Sequence, residues 1–375
     1  MTPTTEDELA EAVATASDAA VPLHIRGGGT RSGLGHAVTG DILETAALTG
    51  MTLYDPGALT LVARAGTPMA EIENALEAEN QKLPFEPMDH RALYGSNGTP
   101  TIGGVVAANV SGPRRIQAGA CRDSLIGVRF VDGRGTAIKN GGRVMKNVTG
   151  YDLVKLMAGS HGTLGVLSEV SFKLLPSAEA TATVRAHALQ TSDGVAALSA
   201  ALGSPYDVTG AAFTPDGDAV VRVEGFEGSV RYRAAQLREM FGRFGDVSVH
   251  SDPAETASLW ADIRDAKAIA TGPGDVWRVS VKPTDGPRVV DAVGQPGATL
   301  LDWGGGLVWA RVAEGHDLRH DLRGIPGHAT LVRGSEETKT KLRVFEPEPE
   351  PLSRMSRGLR AQFDPKGILN PGRMG

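Results

Sequence analysis

Near the start of the chain, apolar residues recur at helical spacing. Leu9, Val13 and the alanines beyond them describe one face of a helix ending near Ala19, and Thr5 with Glu8 three places on has the spacing of a capping box. The period then shortens. Val21–Ile25, Met51–Tyr54 and Leu59–Ala65 read as strands. Thr67-Pro68 opens a second helix, with Pro at its first position and Met69, Ile72, Ala75 and Leu76 on its apolar face. Val128–Val131 and Thr136–Ile138 flank Asp132-Gly133-Arg134-Gly135 and predict a hairpin. From Val166 to Leu174 the residues alternate, Val166, Val170, Phe172 and Leu174 against Leu167, Glu169, Ser171 and Lys173, and the run stops at Pro176.

Beyond that proline the character changes. Ala180–Ala186, Val208–Phe213, Ala219–Glu224, Val276–Val281, Ala298–Trp303 and Leu307–Val312 read as strands, and Val230–Phe244 as a helix. Strands and helices alternate here with few glycine-rich turns of special type, which suits an α+β domain covering one face of the first. The run Glu346-Pro347-Glu348-Pro349-Glu350-Pro351 reads as a stiff extended linker, because proline recurs at every second position. A last helix, Leu352–Phe363, and a tail to Met374 follow. The expected division is 1–176, 177–345 and a 346–375 segment that returns to the first domain.

A length of 375 residues favours two domains, and 41% apolar with 22% charged residues is ordinary globular composition. The net charge of −6, without a basic stripe interleaved with aromatics, argues against nucleic-acid binding. No apolar run is long enough to span a bilayer, and the acidic start suggests neither a signal peptide nor an anchor. The expected location is cytoplasmic. A lone cysteine, Cys121, permits no internal disulfide and no iron–sulfur cluster held by this chain alone; it reads as a small buried hydrophobe.

Three glycine-rich segments carry the candidate chemistry. Ile25-Arg26-Gly27-Gly28-Gly29-Thr30-Arg31-Ser32-Gly33 follows a strand and can converge its backbone N–H groups on a diphosphate. Thr101–Asn109 and Gly159–Val166 are the others. Together they suggest a long, folded-over ligand such as a dinucleotide. A Rossmann fold fits worse: no apolar-periodic helix follows the first loop, and no acidic residue sits at the usual distance.

In this order the loops and the tail resemble the FAD-binding fold of the vanillyl-alcohol oxidase, or PCMH-type, family of flavoprotein oxidases and 2-hydroxy-acid dehydrogenases. The resemblance implies an α+β protein, a two-subdomain PCMH-type FAD-binding fold over 1–176 with a smaller α+β cap domain. It implies that Arg26, Gly27, Gly28, Gly29 and Thr30 wrap the FAD pyrophosphate. Thr101, Gly103 and Gly104 would approach the pyrophosphate and ribose, with Asn109 and Gly112 nearer the flavin ring. Gly162, Gly165 and Val166 would line the adenine and ring edge, and Asn370 would return towards the flavin. Lys146–Leu153, Trp303–Gly306, Gly327–Leu331 and Phe363–Gly367 extend the resemblance over nearly the whole chain, to the smaller FAD-binding subunits of bacterial glycolate oxidases. This implies a complex with a larger related flavoprotein subunit and an iron–sulfur subunit, peripheral to the inner membrane and acting on a small 2-hydroxy acid.

Departures from the family shape the expectation. Some members attach FAD through a histidine in or just after the first loop; Thr30 and Arg31 stand there, and His36 lies beyond it, so FAD is expected to be non-covalent. Metal-assisted relatives carry a Gly-His-x-Gly-Asp-Gly-Asn-x-His run that is missing here, and no metal site is expected. His316 and His320 would share a face if helical, and His328 reads as a core or interface histidine. Arg114 and Arg115 are candidate anchors for a substrate carboxylate, and Lys146 a candidate to stabilise the reduced flavin. Arg122-Asp123 reads as a local pair. No base can be named. Two readings follow: a catalytic component oxidising glycolate, or a non-catalytic flavin-binding subunit supporting a larger catalytic one.

Overall fold

The computed structural model describes residues 1–142, 150–295 and 297–375. Strands β1 (Leu23–Arg26) and β2 (Asp41–Glu44) pair in parallel, in register Leu23 to Asp41. Five strands form a second, antiparallel sheet: β3 (Met51–Asp55), β4 (Thr60–Arg64), β6 (Leu125–Val131), β7 (Ala137–Gly141) and β8 (Val166–Lys173), in the order β3-β4-β8-β6-β7. The short β5 (Gln81–Lys82) and β9 (Leu175–Pro176) pair with each other. The remaining strands are β10 (Ala180–Ala186), β11 (Gly210–Phe213), β12 (Ala219–Gly225), β13 (Val247–His250), β14 (Asp275–Val281), β15 (Thr299–Asp302), β16 (Leu307–Val312) and β17 (Gly327–Arg333). They build one antiparallel eight-stranded sheet, ordered β13-β10-β12-β11-β15-β16-β14-β17.

The first helix, Glu6–Ala19, buries Leu9, Val13 and Ala16 against Leu23, Leu43, Val131, Val166, Ile368 and Leu369. The C-terminal tail is thus part of the N-terminal core, with Leu23 bridging Leu369 in parallel. Thr5 accepts from the Glu8 N–H as expected, but the Glu8 carboxylate reaches past it to the Thr4 N–H at 2.7 Å. The expected alternation in Val166–Leu174 is broken. Pairing of Arg129 with Glu169 and of Phe130 with Leu167 leaves Ser168 as an extra residue, a bulge that turns Leu167 into the same core as Val170 and Phe172. Val166 instead joins the core of the first helix.

The larger core runs through both layers. Leu61, Phe85, Phe130 and Phe172 share it with Val276, Leu300, Leu307 and Trp309 of the eight-stranded sheet. Tyr94 donates to the Val332 carbonyl of β17 at 2.8 Å, and Lys339, in the helix Glu336–Lys341 that follows β17, donates to the Gly33 carbonyl of the first glycine loop at 2.7 Å. The opposite face of that sheet is covered by helices Thr191–Leu202, Glu227–Phe241 and Gly286–Val293 around Trp277, Val279 and Leu301. The acidic-proline run is extended only to Pro349. Glu350 and Pro351 enter the helix Glu350–Phe363, because proline lacks only an N–H that the first turn does not use. No helix among the described residues is long and apolar enough to cross a membrane.

Candidate functional site

The three glycine loops and the tail converge on one open cleft that encloses about 860 Å³ with its mouth. Strand β1 delivers the first loop there. Gly28 sits so close to the neighbouring segment that a Cβ would lie 1.6 Å from the Thr99 carbonyl oxygen; at Gly29, φ +74°, a Cβ would meet nothing nearer than 4.0 Å. Among the residues singled out in the sequence, Arg26, Gly27, Gly28, Gly29, Thr30, Thr101, Gly103, Gly104, Gly162, Gly165, Val166 and Asn370 line this cleft. Asn109 and Gly112 are not in its lining. The Asn109 side-chain oxygen accepts from the Arg122 N–H at 3.0 Å, and Gly112 packs against Glu86, whose carbonyl oxygen a Cβ would meet at 2.3 Å.

Asn370 closes the cleft from the tail. Its Oδ1 accepts from the Ile25 N–H and its Nδ2 donates to the His161 carbonyl, both at 2.8 Å, so one amide ties β1 to the third loop. Asp364 positions it, accepting from the N–H groups of Ile368 and Leu369.

Charge in the cleft is lopsided. Arg26 pairs with Glu44. Arg31 and Arg373 also line it, but among the described residues they bond only neutral partners. Arg31 Nε meets His90 Nδ1 at 3.1 Å and Nη2 meets the Met88 carbonyl at 3.3 Å; Arg373 reaches the Ser32 and His36 carbonyls. Burial pushes the Arg31 guanidinium down to about 10, with partial relief from Tyr94 and Asp89. Burial, and then Arg31, drive His90 to about 3, while burial and Arg373 drive His161 to about 4, so both imidazoles are neutral. The buried Ser160 hydroxyl, also in the lining, has no partner among the described residues. Two guanidiniums without an acid, an unpartnered hydroxyl and a run of backbone N–H groups fit an elongated polyanion such as a dinucleotide. Sequence reasoning missed Arg31, Arg373 and Ser160 as lining residues, although all three lie inside or beside the motifs it used.

The candidate anchors separate. Arg114 is not free for a substrate: it is buried against Glu86 at 3.3 Å and Glu224 at 2.5 Å, beside Arg222 and Lys82. Burial opposes the charge on Glu224, but Arg222 and Arg114 outweigh it and hold that carboxyl well below the usual range. The adjacent position turns the other way. Arg115 lies over the Trp303 ring, 4.4 Å from its centroid. Arg122 and Asp123 form an exposed pair at 3.7 Å. Lys146 lies outside the described residues. His316 precedes the four-residue helix Leu318–Asp321 and bonds Asp321, so it does not share a helical face with His320. His328 is exposed on the edge strand β17 rather than buried in a core. Its sheet register places it beside Ser280.

Residues 1–141 match a family model described as an FAD binding domain. The chain is 36% identical over 368 residues to the glycolate oxidase subunit GlcE of Escherichia coli, covering 98% of this chain and 96% of that one. It is 32% identical to the glycolate oxidase subunit GlcD of Bacillus subtilis over 186 residues, 49% of this chain and 38% of the relative. Among solved structures, a p-cresol methylhydroxylase with substrate bound is similar at TM-score 0.71 and 13% identity, covering 100% of this chain and 88% of that one. An alkyldihydroxyacetonephosphate synthase is similar at TM-score 0.69 and 16% identity, over 99% and 76%. At such identities these structures establish the PCMH-type fold alone. The full-length match with GlcE goes further: the chain is an FAD-dependent oxidoreductase component that belongs to the family of the glycolate oxidase subunit GlcE.

Proposed function

We propose that this protein is the FAD-binding subunit of a glycolate (2-hydroxy acid) oxidase. It would assemble with a larger related flavoprotein subunit and an iron–sulfur subunit, at the cytoplasmic face of a membrane. The observation that carries the reading is the convergence of three glycine loops and the tail on a cleft with two arginines lacking acidic partners. The backbone of Arg26–Thr30 would hold the diphosphate, and Arg31 and Arg373 would neutralise it. Gly162, Gly165 and Val166 would line the far side, and Asn370 would keep the two walls in register. Bound FAD supplies the hydride acceptor for the carbon that bears the hydroxyl. The chain is read as an FAD unit over 1–176 joined by 346–375, with a cap over 177–345.

FAD is held non-covalently in this reading. His36 is not in the cleft lining, and its Nε2 faces the Val344 N–H at 3.4 Å. Acid precipitation should leave the flavin in the supernatant. A second reading, a supporting flavin subunit without its own turnover, is favoured by Arg114, whose charge is consumed by Glu86 and Glu224. Anaerobic visible spectra separate the two. Bleaching of the FAD-loaded chain by glycolate makes it catalytic alone. Bleaching only after the larger subunit is added makes it a supporting subunit. Failure to take up FAD sinks both.

A further inference from the structure

We propose that Arg115, Arg278 and the indole of Trp303 form a binding site for the carboxylate of a small 2-hydroxy or 2-oxo acid. The inference rests on the 2-hydroxy-acid reading above and gives its substrate a place between the two layers.

Trp303 is pinned at two points. Its backbone N–H donates to Asp302 Oδ1 at 2.6 Å, and its indole Nε1 donates to the Gly112 carbonyl at 3.0 Å, across from the cap sheet. The Arg115 guanidinium stands 4.4 Å and that of Arg278 5.1 Å from the ring centroid. The two cations therefore lie within about 10 Å of each other around one fixed aromatic surface.

Sheet register sets the direction of Arg278. In β14 the flanking residues Trp277 and Val279 bury in the core on the helix-covered face. Val276, two residues back, buries in the core shared with the FAD layer. Arg278 thus faces that layer, paired across the sheet with Thr330, and Ser280 on the same face pairs with His328. Arg115 arrives from the opposite side, at the start of the helix Arg115–Ala118.

Other arginines of this interface are held by protein acceptors: Arg114 and Arg222 by Glu86 and Glu224, Arg264 by Asp265, and Arg333 by the carbonyls of Leu93, Ala270, Gly272 and Gly274. Arg115 and Arg278 reach no carboxylate at ion-pair distance among the described residues. The acids closest to them in charge are already engaged, Asp123 on the Ala120 N–H and Asp302 on the Trp303 N–H. Two partly buried like charges left without an acid among the described residues mark a place for an anion, and a guanidinium meets a planar carboxylate through two parallel N–H donors. The indole offers an apolar wall for the adjoining carbon. Thr330, Ser280 and His328 line up behind Arg278 as polar groups for a neighbouring hydroxyl or carbonyl.

The test titrates the full-length chain, with and without FAD, calorimetrically with oxalate, and anaerobically with glycolate and glycolamide. Arg278→Met and Arg115→Met keep the side-chain stem and remove the charge. Each should weaken oxalate about ten- to hundred-fold, with Arg278→Lys intermediate, glycolamide unbound throughout, and FAD affinity unchanged. Oxalate bound equally, within twofold, by the wild type and both Met variants overturns the proposal, as does a wild type that ignores oxalate and glycolate. A wild type that fails to take FAD sinks the functional reading separately, since the oxalate titration of the ligand-free chain still decides the site. Both arginines pack on the same Trp303 ring, so unchanged FAD affinity in each variant is the readout that separates a lost carboxylate contact from a local collapse.

Discussion

Arg31→Met should move two properties in opposite directions. With the cleft empty, Arg31 is a largely buried cation that pairs directly with no acid among the described residues, pushed down by burial to about 10 from an ordinary value above 12. At 1.36 kcal/mol per pH unit, carrying that charge at neutral pH costs the ligand-free fold on the order of 3 kcal/mol. Methionine removes the cost and keeps most of the stem. It also removes the donors to His90 Nδ1 and the Met88 carbonyl, worth about 1 kcal/mol each. The balance is a ligand-free protein more stable by roughly 1 kcal/mol, seen as a rise of about 1 °C in Tm for a chain of this length. FAD binding goes the other way. Loss of one charge-assisted contact to a diphosphate costs about 1.5–3 kcal/mol, a ten- to hundred-fold weaker Kd. Thermal unfolding with and without saturating FAD, beside a flavin-fluorescence titration, reads both. A ligand-free variant that is destabilised while its FAD affinity is unchanged would refute the reasoning, and would make Arg31 a prop for His90.

Gly28→Ala must push the first loop off the Thr99 carbonyl, costing about 3 kcal/mol and FAD binding. Gly29→Ala pays only for its left-handed backbone, about 1 kcal/mol, and should retain FAD; equal behaviour of the two in unfolding and FAD titrations would remove the steric argument. Burial, with Glu86 adding to it, raises Asp302 to about 7 despite the Trp303 N–H, so the folded state favours the protonated acid and stability falls as pH rises from about 4 to about 7. Asp302→Asn keeps the acceptor for Trp303 and should flatten that slope, gaining a few kcal/mol over wild type at pH 8 but little at pH 4, as read from denaturant midpoints. Asn370→Ala strands the Ile25 N–H and the His161 carbonyl and should lower stability by about 2–3 kcal/mol with loss of bound FAD, measured by unfolding and flavin content.

Much of the molecule was legible in the sequence because local chemistry and global fold agree. The first helix has its cap at Thr5 and its stripe at Leu9 and Val13, and β10, β12, β14 and β16 follow their apolar runs. Where the reading slipped, a non-local contact decided. Ser168 is an unremarkable residue in an alternating run until β6 pairs with β8 and leaves it as a bulge. Strand β2 has one fully buried side chain among four residues, too little periodicity to announce itself, and exists because β1 lies beside it. Pro351 forbids a helix interior but not a first turn, a distinction that depends on where the helix begins.

The site divides along the same line. Glycine loops are readable because backbone geometry demands glycine locally, as Gly29 does at φ +74°. Arginines are not, because the role of a guanidinium is set by whichever acid the fold brings to it. Arg114 and Arg115 are neighbours with the same chemistry and the same prior claim to a substrate carboxylate. Folding places Glu86 and Glu224 on one and the Trp303 ring on the other. The sequence holds both glutamates, but 28 and 110 residues away from Arg114, with no periodic signal linking them. A search for binding sites in such a chain therefore gains most by asking which buried cations remain without an acid after folding. Among the described residues that question leads to Arg31 and Arg373 in the cleft, to Arg333, which backbone carbonyls hold, and to the partly buried Arg115 and Arg278 on the Trp303 ring, which no protein acceptor holds.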